Sequence, residues 1–109
     1  MNTKASYTAH QPVTLDNETL ELLADLFKHL SDPRRLQLLL TLAQKEHSVG
    51  ELAQVLGVTP SAVSHQLQTL RLARLVANRR DGKTVFYRLI DDHVHRLVEL
   101  GKEHVSEPR

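Results

Sequence analysis

The spacing of apolar residues predicts two helices in the first part of the chain. Apolar side chains recur every three or four residues over the stretch 16–30, at Leu20, Leu23, Phe27 and Leu30, and this spacing is typical of an amphipathic helix. The next stretch, SDPRRLQLLLTLAQ, is apolar on most sides. We therefore expect the second helix to lie at the centre of the core, with Pro33 in its first turn.

The next two helices follow each other closely and predict a helix-turn-helix. Ser48 and Glu51 have capping-box spacing, and Gly57 is placed to end the third helix. Thr59 is expected to cap the fourth helix, with Pro60 in its first position. The buried stripe of this fourth helix is predicted at Ala62, Val63, Leu67 and Leu70. Two short helices joined through GVT are typical of a helix-turn-helix.

The apolar period then changes to that of strands. Residues 75–89 contain two short extended runs around Asp81-Gly82, a dipeptide that signals a two-residue hairpin. Residues 91–105 return to a helical pattern. The order α-α-α-α-β-β-α predicts a mainly α protein with a small β-hairpin, a winged helix-turn-helix with an added C-terminal helix. Residues 1–13 lack this periodicity, and we expect a flexible arm there, followed by one domain at 14–109.

Composition and charge narrow the class of protein. The 109 residues include no cysteine, which excludes disulfides and thiolate metal sites. No apolar run approaches the roughly 18 residues that a membrane span needs, so we expect a cytoplasmic protein.

The net charge is only +1, but the positive charge is concentrated in residues 59–88. Against the single acid Asp81, this segment carries Arg71, Arg74, Arg79, Arg80, Lys83 and Arg88.

This basic segment coincides with the predicted helix-turn-helix and hairpin, which indicates binding to double-stranded DNA. Short polar side chains, glutamines and arginines can reach base edges or phosphates from a helix in the major groove. The predicted contacts on the fourth helix are Thr59, Ser61, Ser64, His65, Gln66, Gln68 and Arg71. The predicted contacts on the hairpin are Arg79, Arg80 and Lys83. The alternative to DNA binding is a winged helix that binds another protein. We do not expect an enzyme, because the sequence indicates neither a nucleophile in a pocket nor a Gly-rich loop.

At this point a family resemblance can be named. The stretch SVGELAQVLGVTPSAVSHQLQTLRLARLVANRRDGKTVFYRL resembles the DNA-binding core of the ArsR/SmtB family of bacterial metal-responsive repressors, and LSDPRRLQLLLTL resembles the preceding helix of that family. The similarity covers about residues 20–107. It implies a homodimer with the first and last helices at the interface, a pseudo-palindromic operator, and repression relieved by an inducer. No membrane and no small organic substrate are expected as partners.

The last helix carries possible metal ligands at both ends, at Asp91, His93, His104 and Glu107. His93 and His104 are eleven residues apart, which places them roughly 16 Å apart along a helix, whereas zinc–nitrogen bonds are about 2.0–2.1 Å. One helix therefore cannot bring both pairs to one ion, but two antiparallel copies across a dimer axis can. The same four positions match the C-terminal pattern of zinc-responsive members of the ArsR/SmtB family.

Two imidazoles and two carboxylates suit Zn(II), and Co(II) would bind similarly. Ni(II) would require further ligands, and His10 in the N-terminal arm is a candidate. Two interpretations stay open. In the first, an apo homodimer binds operator DNA and releases it on binding metal at intersubunit sites. In the second, a winged-helix regulator responds to a non-metal signal, and the terminal helix serves only as dimer interface.

Overall fold

The computed structural model of the protein describes residues 14–108. Within these residues the elements are α1 (Asn17–Leu30), α2 (Pro33–Gln44), β1 (His47–Ser48), α3 (Val49–Leu56), α4 (Pro60–Leu72), β2 (Val76–Asp81), β3 (Thr84–Leu89) and α5 (Asp92–Val105). All five predicted helices and the hairpin are confirmed. Strand β1 was not predicted. The expected arm at 1–13, including His10, lies outside the described residues.

Local hydrogen bonds fix the ends of the two helices of the helix-turn-helix. Ser48 and Glu51 form the predicted capping box, with both backbone-to-side-chain bonds present at 2.8 and 3.1 Å. Gly57 ends α3 in the left-handed conformation, with φ of 68°, which glycine adopts without steric cost. Thr59 then caps α4, with Pro60 in its first position. These short-range contacts set the turn between α3 and α4.

The core lies between α2, α3, α4, the sheet and α5. Helix α2 is central as predicted, with Leu38 and Leu39 almost fully buried. From the other elements the core receives Leu52, Val63, Leu67, Leu70, Leu75, Val76, Tyr87, Leu89, Val94 and Val98. The prediction for Ala62 was wrong. It is exposed, because the buried stripe of α4 begins at Val63 and Ala62 faces an open cleft beside α2.

The sheet has the order β1-β3-β2, with both pairings antiparallel. Its hairpin turns one residue later than predicted. Asp81 pairs with Thr84 as the last residues of the two strands, so the loop consists of Gly82 and Lys83. Gly82 has φ of 63°, and glycine favours this conformation at the first loop position of a tight hairpin. The tip of the wing therefore presents Lys83 directly.

One apolar face stays uncovered in the single chain. Helix α1 has no buried residue, and its exposed side chains include Leu20, Leu22, Leu23 and Phe27. Beside them, an apolar groove of about 370 Å³ runs between α1, α2 and α5. No helix within residues 14–108 is long and apolar enough to cross a membrane.

Candidate nucleic-acid interface and metal-ligand pairs

Helix α4 presents a polar face to solvent opposite its buried stripe. Four of the predicted contacts on it, Ser61, Ser64, His65 and Gln68, are exposed, as is Arg71, and Gln66 is half-buried. Arg71 donates from Nη2 to Oε1 of Gln68 at 3.2 Å, so these two side chains lie together on the surface. A helix with this face can offer donors and acceptors to base edges in a major groove.

Thr59 is the predicted contact at the N-terminal end of α4, and its side chain also has a structural role. Its Oγ1 accepts a hydrogen bond from the backbone N–H of Ala62 at 3.1 Å. The hydroxyl proton stays available for donation, because a threonine hydroxyl both donates and accepts. Thr59 can therefore cap the helix and donate to a phosphate at the same time.

The three basic residues of the wing have different surroundings. Arg80 and Lys83 are exposed, and within residues 14–108 neither forms an ion pair. Arg79 is bound by Glu46, with its Nη2 at 2.7 Å from Oε1 and its Nε at 3.0 Å from Oε2. These hydrogen bonds hold the pKa of the Glu46 carboxyl below its usual value. Of the three basic residues of the wing, Arg79 is therefore the one whose charge is paired within residues 14–108.

A cleft of about 680 Å³ opens beside α4 and reveals residues that the sequence did not single out. Arg34 and Gln37 at the start of α2 line it together with Ser61, His65 and Gln66. Arg34 is exposed and forms no ion pair within the described chain. Its neighbour Arg35 donates instead to the carbonyl of His29 at 3.0 Å. Charge at the start of a predicted helix is a weak sequence signal, since only the tertiary fold brings Arg34 to the same cleft as residues of α4.

The four predicted metal ligands form two separate pairs at the ends of α5. Nδ1 of His93 lies 3.5 Å from Oδ2 of Asp91, and Nδ1 of His104 lies 3.4 Å from Oε1 of Glu107. The histidine side chains are 83% and 79% exposed. Asp91 also caps α5 through Oδ1, which accepts from the N–H of Val94 at 3.1 Å; this bond is the main reason that its pKa is lowered.

One chain alone does not assemble a metal site from these pairs. Within residues 14–108 no three His, Asp or Glu side chains lie close enough together to hold an ion. His95, which the helical spacing turns away from His93, points instead to α2, with its Nε2 at 3.1 Å from the carbonyl oxygen of Ala43. The donor set still suits a borderline divalent ion, because each pair offers one imidazole nitrogen and one carboxyl group on an exposed surface.

Comparison with known proteins gives three findings. Residues 32–78 match the sequence model of the family described as "Bacterial regulatory protein, arsR family". HTH-type transcriptional regulator KmtR of Mycobacterium tuberculosis is 45% identical over 92 residues, which is 84% of this chain and 71% of KmtR. Transcriptional repressor SmtB homolog of Synechocystis sp. is 42% identical over 97 residues, which is 89% of this chain and 74% of that protein.

A solved structure also resembles the chain over most of its length. The homodimeric winged helix-turn-helix DNA-binding domain of Mb0332 from Mycobacterium bovis superposes with a TM-score of 0.78 at 33% identity, covering 89% of this chain and 92% of that one. The predicted winged helix-turn-helix fold is thereby confirmed. The relatives are transcriptional regulators, which confirms that the chain is not an enzyme.

Proposed function

This chain belongs to the arsR family of bacterial regulatory proteins, and on that premise we propose that it is a metal-sensing transcriptional repressor of the cytoplasm. The observation that carries DNA binding is the exposed polar face of α4, which shares a cleft with the exposed Arg34. The exposed Arg80 and Lys83 of the wing add to it. Metal sensing is supported by the His–carboxylate pairs at the two ends of α5.

In the proposed complex, α4 enters the major groove and the wing follows the backbone. Ser64, Gln68 and Arg71 are the side chains best placed along α4 to discriminate bases, because each offers hydrogen-bonding groups from the exposed face. Arg80 and Lys83 contribute affinity through phosphates, which carry no sequence information. A dimer presents two copies of α4, so the operator is expected to be pseudo-palindromic, with half-sites one helical turn apart.

The homodimer is supported by the apolar surface that the single chain leaves open. Phe27 is 53% exposed, and Leu100 and Val105 at the other end of the chain are exposed as well. The groove between α1, α2 and α5 continues this surface. A second copy that covers it would bury apolar area on both chains at once, which is the main driving force of association.

The metal ligands we propose are Asp91 and His93 of one protomer with His104 and Glu107 of the other, which gives two equivalent sites in each dimer. Zn(II) bound there would supply four strong bonds that tie the two α5 helices together. Zn(II) is the proposed inducer, Co(II) would bind similarly, and Ni(II) would recruit further ligands such as His10.

The apo dimer is the DNA-binding form. Since coupling between two sites is reciprocal, operator DNA must weaken metal binding by the same factor.

The experiment is a fluorescence anisotropy titration of a labelled duplex from upstream of the protein's own gene, with and without Zn(II). We expect the wild type to bind in the apo state and to lose about 5- to 150-fold in affinity with Zn(II), the usual range of such coupling. The His93→Ala/His104→Ala variant should bind DNA equally with and without the metal.

A matched pair of variants separates the ligand role of Asp91 from its capping role. Asp91→Asn keeps a good helix cap but removes the carboxylate, so it should lose part of the zinc response. Asp92→Asn removes the neighbouring carboxylate, which pairs with Arg96, and should respond like the wild type. DNA binding that is indifferent to zinc in every variant would contradict metal sensing and favour a regulator that answers a non-metal signal.

A further inference from the structure

The structure contains a tertiary contact at the base of the wing that a role in phosphate binding does not explain. Glu46 lies in the short connection between α2 and β1, and Arg79 lies in β2, 33 residues later. The guanidinium makes three hydrogen bonds to the carboxylate, at 2.7, 3.0 and 3.1 Å. Such bidentate pairing fixes the orientation of both side chains, because the planar fork of arginine matches the carboxylate.

A third residue fixes the flat side of the same guanidinium. Phe86 of β3 is the direct cross-strand partner of Arg79, and the guanidinium carbon lies 4.6 Å from the centre of its ring. This is the geometry of a cation–π contact. Glu46, Arg79 and Phe86 thus form one cluster, which we call the wing clamp, and it joins β2 and β3 to the connection between α2 and β1.

The position of the wing clamp matters because the wing is weakly supported beyond it. Strand β1 pairs with β3 only at Tyr87 and Phe86. From there to the tip the wing is a two-stranded ribbon, which has little stability of its own. The wing clamp lies where this ribbon leaves the three-stranded sheet, so it controls the direction in which the ribbon extends.

Strand alternation separates Arg79 from Arg80. Successive residues of a strand point to opposite faces, and Arg80 pairs with Val85 whereas Arg79 pairs with Phe86. Arg79 therefore lies on the face that carries Glu46, and Arg80 lies on the face that carries Val85. The Glu46 carboxylate already balances the charge of this guanidinium, which weakens its attraction for a phosphate.

We propose that Glu46 is a positioning residue for DNA binding: through the wing clamp it holds the wing at the angle at which Arg80 and Lys83 meet the DNA backbone, and Arg79 does not itself contact a phosphate. The inference rests on the proposed DNA-binding function. Exposed ion pairs contribute only a small amount to folding stability, so the main effect is expected in DNA affinity and in the order of the wing, with a smaller effect on the free energy of unfolding.

The test is the affinity for operator duplex and its dependence on salt, measured for Glu46→Gln, Arg79→Gln, the double variant and Arg80→Gln. The affinity falls as salt rises, and each lost phosphate contact reduces the steepness of the plot of log K against log salt by about 0.9. A substitution in a homodimer removes two such contacts. Arg80→Gln should therefore lower the slope by about 1.8. Glu46→Gln and Arg79→Gln should each weaken binding by roughly two- to fivefold, in keeping with an exposed ion pair, and leave the slope unchanged.

Two further readouts decide between positioning and direct contact. The double variant should bind no more weakly than either single variant, because both remove the same interaction. Without DNA, Glu46→Gln should accelerate amide hydrogen exchange in residues 79–86 compared with the wild type. If Arg79 contacts phosphate instead, Arg79→Gln will lower the salt slope and Glu46→Gln will strengthen binding by releasing Arg79; that result would overturn the proposal.

The outcomes also separate this inference from the proposed function. A wild type that does not bind the duplex, or an Arg80→Gln variant that binds as well as the wild type, contradicts the proposed DNA surface. Normal wild-type binding with an unaffected Glu46→Gln variant and unchanged hydrogen exchange contradicts only the wing clamp. The exchange measurement needs no DNA, so it tests the clamp in either case.

Discussion

At the scale of single residues, Arg74 stands out by its backbone. Within residues 14–108 it is the non-glycine residue with a positive φ, at 61°, directly after the end of α4. There its N–H donates to the carbonyl of Arg71, and the N–H of Leu75 donates to Leu70. Glycine is the usual residue at this position after a helix, because it has no Cβ to clash.

We therefore expect Arg74→Gly to stabilise the protein by about 0.5–1 kcal/mol, since the left-handed conformation costs a side-chain-bearing residue roughly 1–2 kcal/mol and the added flexibility of glycine offsets part of the gain. Urea unfolding at one fixed protein concentration measures the change. Arg74→Ala removes the same charge but keeps the clash, so it should give no gain. Equal stabilisation by both variants would show that charge, and not backbone strain, is responsible.

Glu46 carries a pH dependence whose sign follows from its pKa. Hydrogen bonds from Arg79 lower this pKa from the usual 4.5, so the ion pair stabilises the folded state fully above about that pH. The contribution is lost as the pH falls through the lowered pKa of the folded state. The difference in unfolding free energy between wild type and Glu46→Gln should therefore shrink as the pH is lowered from 6 to about 3.

Urea unfolding at several pH values measures this difference. Glu103→Gln, which removes an exposed glutamate from α5, controls for the loss of one negative charge. A difference between wild type and Glu46→Gln that is constant over the whole pH range would mean that ionisation of the Glu46 carboxyl does not change the stability of the fold.

At the scale of elements, the start of α2 joins the surface that α4 presents. Arg34 shares a cleft with Ser61 and His65, so Arg34→Gln should weaken operator binding and lower its salt slope, by about 1.8 for two copies. Because phosphate contacts carry no sequence information, the loss should be the same for operator and for unrelated DNA. Anisotropy titrations over a range of salt concentrations measure both effects.

Arg96→Gln is the matched control for this prediction. It removes the same charge from α5, where Arg96 pairs with Asp92 at 3.0 Å, and α5 packs against α2 and β3. If both variants weaken binding equally, the effect is one of net charge, and Arg34 makes no local contact with DNA.

Elements were predictable from sequence where neighbouring residues determine them. The capping box of Ser48 and Glu51 spans three positions, and so does the cap that Thr59 provides to Ala62. The hairpin was shifted by one residue, because Asp81-Gly82 and Gly82-Lys83 both fit a two-residue loop locally and only the pairing of Asp81 with Thr84 selects the second.

Interactions between distant residues were not predictable in the same way. Strand β1 has two residues and exists only through its pairing with β3, so no alternation marks it in the sequence. The contact between Glu46 and Arg79 joins positions 33 residues apart, and the sequence placed Arg79 with the phosphate contacts on charge alone. The two His–carboxylate pairs of α5 were predictable because each is local, whereas the proposed metal site that unites them depends on a second chain.

At the scale of the whole molecule, dimerisation is the event on which both proposed activities depend. The Phe27 side chain is 53% exposed in the single chain and lines the groove between α1, α2 and α5. Phe27→Asp would place a carboxylate in the proposed dimer interface, where an unpaired charge would be strongly unfavourable. We expect this variant to sediment as a monomer at concentrations at which the wild type is a dimer.

The same variant tests whether the metal site is shared between protomers. If Asp91 and His93 of one chain meet His104 and Glu107 of the other, a monomer retains only half-sites, and Phe27→Asp should lose tight zinc binding together with operator binding. Val55→Asp is the matched control, because Val55 is 62% exposed on α3, outside the residues that line the groove, and it should keep both activities.

A monomeric Phe27→Asp protein that binds zinc as tightly as the wild type would place the metal within one chain. In that case His10, which lies outside the described residues, would be the next candidate ligand to substitute.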